Sequence, residues 1–594
     1  MKRSDRSEKL RLRKTHQETV VKSSLKKYLL GNKESIVDAL KKRVLAYSKR
    51  VNVASLALMG ILKELFHNQE NVLDVQLPDY TDQTFFRQLL VGTDDAQKPN
   101  DLITNYQKRF PSLFQNVERF SADRNIFSAG AIKYITNLKN SLWMNFPGRV
   151  KQFTKSFQAV EKISDEERIS LLYLIMGWNV SVSSLGCIFP ARESVQETSN
   201  QHRKVLGLED DQVITTQWIE NKENLDSFLR YYVVLNRYYE ENELATFNLV
   251  PICKIKRHFI TVDSSSLYGI MKGLKLIDCN NTVFQSLKEH HWNSFLNIQR
   301  LQNGEKQFTG TIETDGVSLC THFKAPKKVS DTEKKAYKYN SQQDRVIGID
   351  TGRVNIMSCA EVLEDGSIKR YNLSRKQYYC DTGAFKARTR AQTWNKNVQK
   401  ELKLLSRVST KGVSLQNHQK FLDTYSTTSP ALWDEYTKER WSRSRLSLYG
   451  GKQRTWDRFF NQIKEFDPEK QVVIAYGASK FDPSGKGEMA VPTSQVYKET
   501  IRRFKTYLVD EFRTSKIFYK DDSVLELVAK RKKPRSSVRG LLWSGSSNNE
   551  FFIDRDLNAA LNIRRCLVNP VRPISLTRIP GQQRLSQTIT KIIK

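Results

Sequence analysis

The run Val346-Ile347-Gly348-Ile349 constrains this chain more than any other stretch. Its apolar, β-branched side chains follow one another without a polar break, so the backbone there is expected to be extended and buried as a central strand. Asp350 ends the run. A carboxylate at that point has left the apolar layer yet is still held by a rigid element, and Gly352 removes the side chain that would crowd an approaching ligand. Residues 355–363, the turn Glu364-Asp365-Gly366 and residues 368–371 read as a second strand, a tight turn and a third strand. A strand-end aspartate before a small residue is also a common turn or cap, so this stretch alone implies a sheet and leaves the site open.

A second stretch narrows the choice. Phe551-Phe552-Ile553 leads into Asp554-Arg555-Asp556, and residues 557–563 combine strong helix formers with apolar i, i+3/i+4 spacing. Asp556 falls in the first turn of that helix, where the residue type also fits an N-terminal cap. The string RDLNAALNI after a GIDTG strand resembles the split RuvC nuclease domain of TnpB, the transposon-encoded RNA-guided nuclease, and of its eukaryotic relatives, the Fanzor proteins. The resemblance implies a multidomain α/β chain. It would comprise a split RuvC (RNase H-like) nuclease domain, an α-helical recognition lobe and a small β-barrel wedge domain.

Composition agrees with such a partner set. A chain of 594 residues is too long for one core, and a formal charge of +33, from 97 Lys and Arg against 64 Asp and Glu, calls for a polyanionic partner. Nucleic acid is the first candidate. No membrane partner is expected, because the longest apolar stretch of the N-terminal third, 53–62, is too short to span a bilayer and no signal peptide heads the chain. Cys187, Cys253, Cys279, Cys320, Cys359, Cys380 and Cys566 are scattered with no pair at metal-ligand spacing, which points to a reducing compartment and no structural zinc.

In chain order, residues 1–30 read as a basic flexible tail, with ten Lys and Arg against three acidic residues before position 28. Residues 31–240 read as a mainly helical recognition lobe, with part of the wedge domain placed near its start. Ile36, Leu40, Val44, Tyr47, Val51, Leu58, Leu62 and Leu65 keep helical spacing there, and Ser164-Asp165-Glu166-Glu167 is a capping box. Residues 241–343 are expected to form the β-rich wedge domain, since 308–313, the turn Thr314-Asp315-Gly316 and 317–323 read as a hairpin. His290-His291 has no third ligand nearby and reads as exposed or packed histidine. Residues 344–515 read as the first part of the nuclease domain, with a helical insertion at 375–466. Basic and aromatic residues interleave in it (Arg388, Arg390, Trp394, Arg440, Trp441, Arg443), which suits either a groove tracking a nucleic-acid backbone or an ordinary basic helical surface. Residues 551–594 complete the nuclease domain and end in a tail.

Two departures from the family pattern stand out. TnpB proteins carry a catalytic glutamate at the end of the strand read here at 471–476, but this chain has Gly477-Ala478. The string Glu511-Phe512-Arg513-Thr514-Ser515-Lys516, at the end of a further strand, resembles Fanzor proteins in which the glutamate is displaced to this position. Glu488, in a Gly/Lys-rich loop, and Glu499, on a helix expected to expose it, read as solvated charges. The family also inserts a zinc ribbon after this point. Residues 516–550 have no cysteine, so a degenerate or replaced, target-nucleic-acid-binding insertion is expected. Its cluster Lys530-Arg531-Lys532-Lys533-Pro534-Arg535 suits nuclear import or phosphate contact.

Asp350, Glu511 and Asp556 are thus the candidate catalytic and metal-ligating residues. Three carboxylates at one edge are hard oxygen donors that favour Mg²⁺, and two such ions can activate water and neutralise a leaving oxygen without a Cys or His nucleophile. The resemblance implies an RNA-guided DNA endonuclease of the nucleus, working as a monomeric ribonucleoprotein with an omega-type guide RNA on target double-stranded DNA. The alternatives are a catalytically inactive RNA/DNA-binding descendant of such a nuclease and a guide-independent RNase H-type resolvase or integrase.

Overall fold

The computed structural model describes residues 16–30, 34–92, 99–114, 124–178, 192–209, 212–302, 306–326, 337–478, 491–530, 533–546, 549–579, 585, 587 and 589–592. Among the described residues it is a multidomain α/β chain with three sheets and many helices. Two compact units emerge: Met1–Lys327 with Gln392–Arg443, and Lys328–Ala391 with Ser444–Lys594. Among the described residues, no helix is long and apolar enough to cross a membrane.

The first unit contains β1 (His16–Ser24), α1 (Glu34–Phe66), α2 (Arg124–Glu161), α3 (Asp165–Met176), α4 (Leu225–Glu241), β2 (Ile260–Asp263), β3 (Gln307–Thr314), β4 (Ser318–Pro326) and α5 (Leu415–Tyr436). The apolar stripe of α1 is core: Ile36, Leu40, Val44, Tyr47, Val51, Leu58 and Leu62 are all buried. α3 opens on the expected capping box, with Ser164 Oγ accepting from Glu167 N at 3.1 Å and Ser164 N donating to Glu167 Oε2 at 2.8 Å. The four strands form an antiparallel sheet in the order β1-β4-β3-β2. Its tight turn needs Gly316 at φ 80°, and Asp315 Oδ1 accepts from Val317 N and Ser318 N there. His291 stacks on Phe284 at 4.2 Å, so this histidine is packed, while His290 is exposed.

Three expectations change in this unit. Residues 16–24 of the expected flexible tail are strand β1, paired along its whole length with β4 from His16↔Pro326 to Ser24↔Ser318. Thr19, Val20 and Val21 suit a strand, but the partner lies some three hundred residues away, so nothing local announces it. Residues 1–15 lie outside the described residues. The sheet has β1 and β2 as open edges and is not closed into a barrel, among the described residues. Finally, Gln392–Arg443, expected inside the nuclease domain's insertion, belongs by its packing to this first unit.

The second unit is built on β5 (Asp344–Asp350), β6 (Asn355–Val362), β7 (Ile368–Ser374), β8 (Gln471–Gly477) and β9 (Lys505–Val509), in the order β7-β6-β5-β8-β9. The first three strands run antiparallel in sequence, and β8 and β9 run parallel to β5. Helices α6 (Glu439–Glu465, of which Ser444 onward belongs to this unit), α7 (Thr493–Arg503) and α8 (Arg555–Val568) cover it. The two-residue strand period sorts β5 onto two faces. Ile347 and Ile349 pack with Trp456, Phe459, Phe460 and Ile463 of α6 and Val496 of α7, whereas Val346 packs with Val473, Val509 and Ile563 of α8. A second sheet, ordered β12-β11-β10-β13, is made by β10 (Glu526–Lys530), β11 (Lys533–Ser546), β12 (Asn549–Asp554) and β13 (Ile589–Ile592). It occupies the segment expected to replace a zinc ribbon, and Phe518, Leu525, Leu542 and Ile553 form its apolar centre.

α8 presses its backbone onto β5 at Gly348. A Cβ there would stand 2.9 Å from both the Ala560 carbonyl carbon and the Arg564 nitrogen, and backbone cannot rotate aside. Gly348→Ala is therefore expected to cost about 2–3 kcal/mol, the penalty of overpacking a rigid contact. Gly148 of α2 is exposed with nothing within 4 Å of its Cβ position, so Gly148→Ala should instead gain about 0.5–1 kcal/mol. Thermal unfolding of the purified variants measures both, and an unchanged midpoint for Gly348→Ala would show that α8 can retreat from the sheet.

Candidate active site

The carboxyl end of β5 delivers Asp350 to the edge where β8 also ends, since Ile349 pairs with Tyr476 and the chain of β8 runs on to Gly477. Burial pushes the Asp350 carboxyl well above the usual carboxylate range, and Glu511 and Asp556 push it further by like-charge repulsion. The three candidate residues are thus brought together. Asp350 is the one that feels both others.

Asp556 comes from the first turn of α8 and is buried. The cap role that its residue type also fits is taken by its neighbour: Asp554 Oδ1 accepts from Leu557 N at 2.9 Å. Asp556 is left for the site. Its Oδ1 accepts from Arg555 Nε at 3.1 Å and Nη2 at 2.8 Å, and its Oδ2 accepts from Asn355 Nδ2 at 3.2 Å. Gly352 lines the same space, for a Cβ there would be 3.9 Å from Asp556 Oδ2.

Glu511 arrives differently from the sequence expectation. β9 ends at Val509, so Glu511 lies two residues past the strand, in a turn where Thr514 N and Oγ1 both donate to its carbonyl, at 3.2 and 3.0 Å. Its side chain lies over the end of β8: a Cβ on Gly477 would stand 2.7 Å from Glu511 Cδ and 2.9 Å from Cγ. The carboxylate therefore fills the space that a longer residue at 477 would need. The neighbouring Asp510 is turned away and held low by Arg578, which donates to it at 2.8 Å.

Glu499 was expected to be exposed and is instead buried, paired with Arg503 at 2.5 Å and Arg502 at 3.0 Å. Helical spacing alone does not reveal that two arginines of the next turn fold back on it. Its charge is spent on α7 rather than on the site. Glu488 lies outside the described residues.

Two residues that sequence reasoning passed over hold Glu511 in place. Asn558 and Asn562, one turn apart on α8 and fully buried, each donate from Nδ2 to the carbonyls of Thr514 and Ile517 at 2.7–3.0 Å. They clamp the turn that carries Glu511 to the helix that carries Asp556. The signal was their i, i+4 spacing beside Asp556, two amides on what otherwise reads as the apolar face of a helix.

Among the described residues, no group of three or more His, Cys, Asp and Glu side chains is drawn close enough to hold a metal ion as it stands. The donor chemistry still suits a hard divalent cation, because three carboxylates share one edge and repel one another there.

No protein-family model and no curated protein matches the sequence. Among solved structures, CasPhi-2 (Cas12j) bound to crRNA shares 13% identity over 48% of this chain and 59% of its own, at a TM-score of 0.25. The chain thus spans less than two thirds of that protein. A Cas12i–crRNA–dsDNA complex shares 10% identity over 84% of each chain, with a TM-score of 0.20. A Cas12i1 R-loop complex before target DNA cleavage shares 9% over 79% of this chain and 70% of its own, with a TM-score of 0.16. Similarities of this size carry neither fold nor activity over to this chain.

The crowding at Asp350 has a stability consequence. A carboxyl whose folded pKa is raised contributes stability that is fully present below its unfolded value, near 4, and lost as pH rises through the folded value. At neutral pH in cation-free buffer, Asp350→Asn is expected to raise the unfolding midpoint by about 2–4 °C, the effect of about 1 kcal/mol in a domain of this size. A midpoint that falls or stays would mean that the charges are already balanced.

Proposed function

We propose that this protein is an RNA-guided DNA endonuclease, similar to Fanzor proteins, that hydrolyses target DNA at a RuvC-like site formed by Asp350, Glu511 and Asp556. One observation carries the reading: carboxylates from three separate elements meet at one edge of a sheet ordered β7-β6-β5-β8-β9, with Glu511 lying where a glutamate at the end of β8 would reach. Three antiparallel strands followed by two parallel ones is the order expected of an RNase H-like sheet. The charge of +33 supports a nucleic-acid partner on a large scale.

In this reading Asp350 stands between the other two carboxylates, and all three would hold Mg²⁺. Bound there, such ions supply activated water and neutralise the leaving oxygen of the scissile phosphodiester. The chain's own contribution is placement. Gly352 keeps the approach open, Asn355 orients Asp556, and Asn558 and Asn562 fix the Glu511 turn. The helices of the first unit serve as recognition lobe and its four-stranded sheet as wedge, gripping an omega-type guide RNA. Base pairing to the guide selects the target, and the protein reads a short flanking motif. A monomeric ribonucleoprotein in the nucleus follows, with the cluster at 530–535 as import signal; Arg531 and Lys532 of that cluster lie outside the described residues.

RNA copurifying with the chain is expected to be one structured species with a variable end, found by sequencing. Absence of any defined RNA would favour the guide-independent resolvase or integrase. With that RNA and a matched duplex, Asp350→Ala and Asp556→Ala should abolish Mg²⁺-dependent cutting while RNA binding persists, because guide affinity rests on backbone contacts elsewhere. Full cutting by either variant sinks the site.

The displaced glutamate gives a sharper trial. Glu511→Gln should slow cutting by at least about a hundredfold, ~2.7 kcal/mol of transition-state stabilisation. Gly477→Glu in a Glu511→Ala background should restore part of it, since the alanine clears the space that the Glu511 side chain now fills. No recovery in a well-folded double variant would show that the two positions do not serve one site.

A further inference from the structure

The observation that remains unexplained is the arginine beside Asp556. Arg555 occupies the first position of α8, where the positive end of the helix disfavours a cation. Burial also opposes its charge, yet its side chain is paired with the Asp556 carboxylate at 2.8 Å. The guanidinium is therefore held there by Asp556. It does not serve as a cap, because Asp554 already caps the helix.

The geometry is that of a competitor. Nε and Nη2 both donate to Asp556 Oδ1, which uses both in-plane lone pairs of that oxygen, and Asn355 takes one on Oδ2. A divalent cation seeking Asp556 meets an oxygen already saturated and a positive charge already beside it. The Arg555 side chain is 44% exposed while that of Asp556 is 11% exposed, so the arginine can swing into solvent and the aspartate cannot.

We propose that Arg555 is a tethered counter-cation that holds Asp556 until a divalent metal displaces it, and so sets the metal concentration at which the carboxylates close into a ligand set. The inference rests on the proposed reading of Asp350, Glu511 and Asp556 as metal ligands. It accounts for an arginine placed at the start of a helix and paired there with a nearly buried carboxylate. It also assigns Arg555 a positioning role: its removal should improve metal binding, which a merely structural residue would not do.

Fe²⁺ with ascorbate and peroxide is a local probe, because bound iron cuts the polypeptide beside it and so reports this site even in the presence of RNA. The full chain is titrated with Fe²⁺, and fragments ending near residues 350 and 556 are followed by mass spectrometry. The midpoint concentration is expected to fall about fivefold in Arg555→Ala and in Arg555→Gln, the worth of about 1 kcal/mol for a half-exposed charged pair. Arg555→Lys should lie between. Arg192→Ala, which removes a pair to Glu167 at the start of α3, should match the wild type. Local fragments with an unchanged or higher midpoint in both Arg555 variants overturn this inference and leave the nuclease reading standing. No local fragments in the wild type at saturating Fe²⁺ overturn both.

Discussion

The contact on which this site depends is the backbone-to-backbone meeting of α8 with β5. Gly348 has no side chain, so the helix comes close enough that its Ala560 carbonyl occupies the place of a Cβ. A strand and a helix more than two hundred residues apart are thereby set at one depth relative to each other. The register of everything else on α8 follows. Asp556 lies one turn before the contact, beside the end of β5, and Ile563 lies about one turn after it, in the apolar layer with Val346, Val473 and Val509. A bulkier residue at 348 would move Asp556 along with the helix, so packing and chemistry are coupled through a missing methyl group.

That rigidity is what allows like charges to be held together. Burying Asp350 beside Glu511 and Asp556 is unfavourable, and the raised pKa of Asp350 expresses it. The apolar layers on both faces of the sheet and the amide clamps of Asn558 and Asn562 offset that cost from outside the site. Elsewhere in the same unit the buried charges are matched. Arg345 meets Glu361 at 2.7 Å with Tyr371 completing the group, and Glu499 is paired twice. Among the described residues, these matched pairs contrast with the Asp350 edge, where three carboxylates repel one another.

How far the sequence could be read follows from where each signal resides. The strand at 346–349 and the helix after Asp556 were legible because their patterns are local, two-residue and 3.6-residue periods of strongly apolar side chains. Asp350 and Asp556 were legible as residues at the ends of those elements. Glu511 is legible from its surrounding string, although the strand before it ends at Val509 and not at Glu511 itself. β1 was missed because HQETVVKSS has few apolar residues and its stability comes from pairing with a strand far along the chain. The burial of Glu499 and the grouping of Gln392–Arg443 with the first unit depend likewise on contacts between distant segments. Arg555 stands within the RDLNAALNI string, and its pairing with Asp556 is set by side-chain geometry that the string does not carry.

The sheet β12-β11-β10-β13 shows how a segment without cysteine can still be anchored beside a demanding site. Small modules often need a metal or a disulfide because their own cores are too small. Here Phe518, Leu525, Leu542 and Ile553 supply a modest apolar centre, and a strand from near the end of the chain, β13, pairs with β10. Covalent continuity does the rest. β12 runs without a break into α8, so Asp554 is at once the last residue of β12 and the cap of the helix. At the other side, the turn after Glu511 leads into this segment and is bonded through Thr514 and Ile517 to Asn558 and Asn562. The module is thus tied at both of these junctions to α8, the helix that β5 already positions, and a shift of the module would pull on Glu511 and Asp556 together.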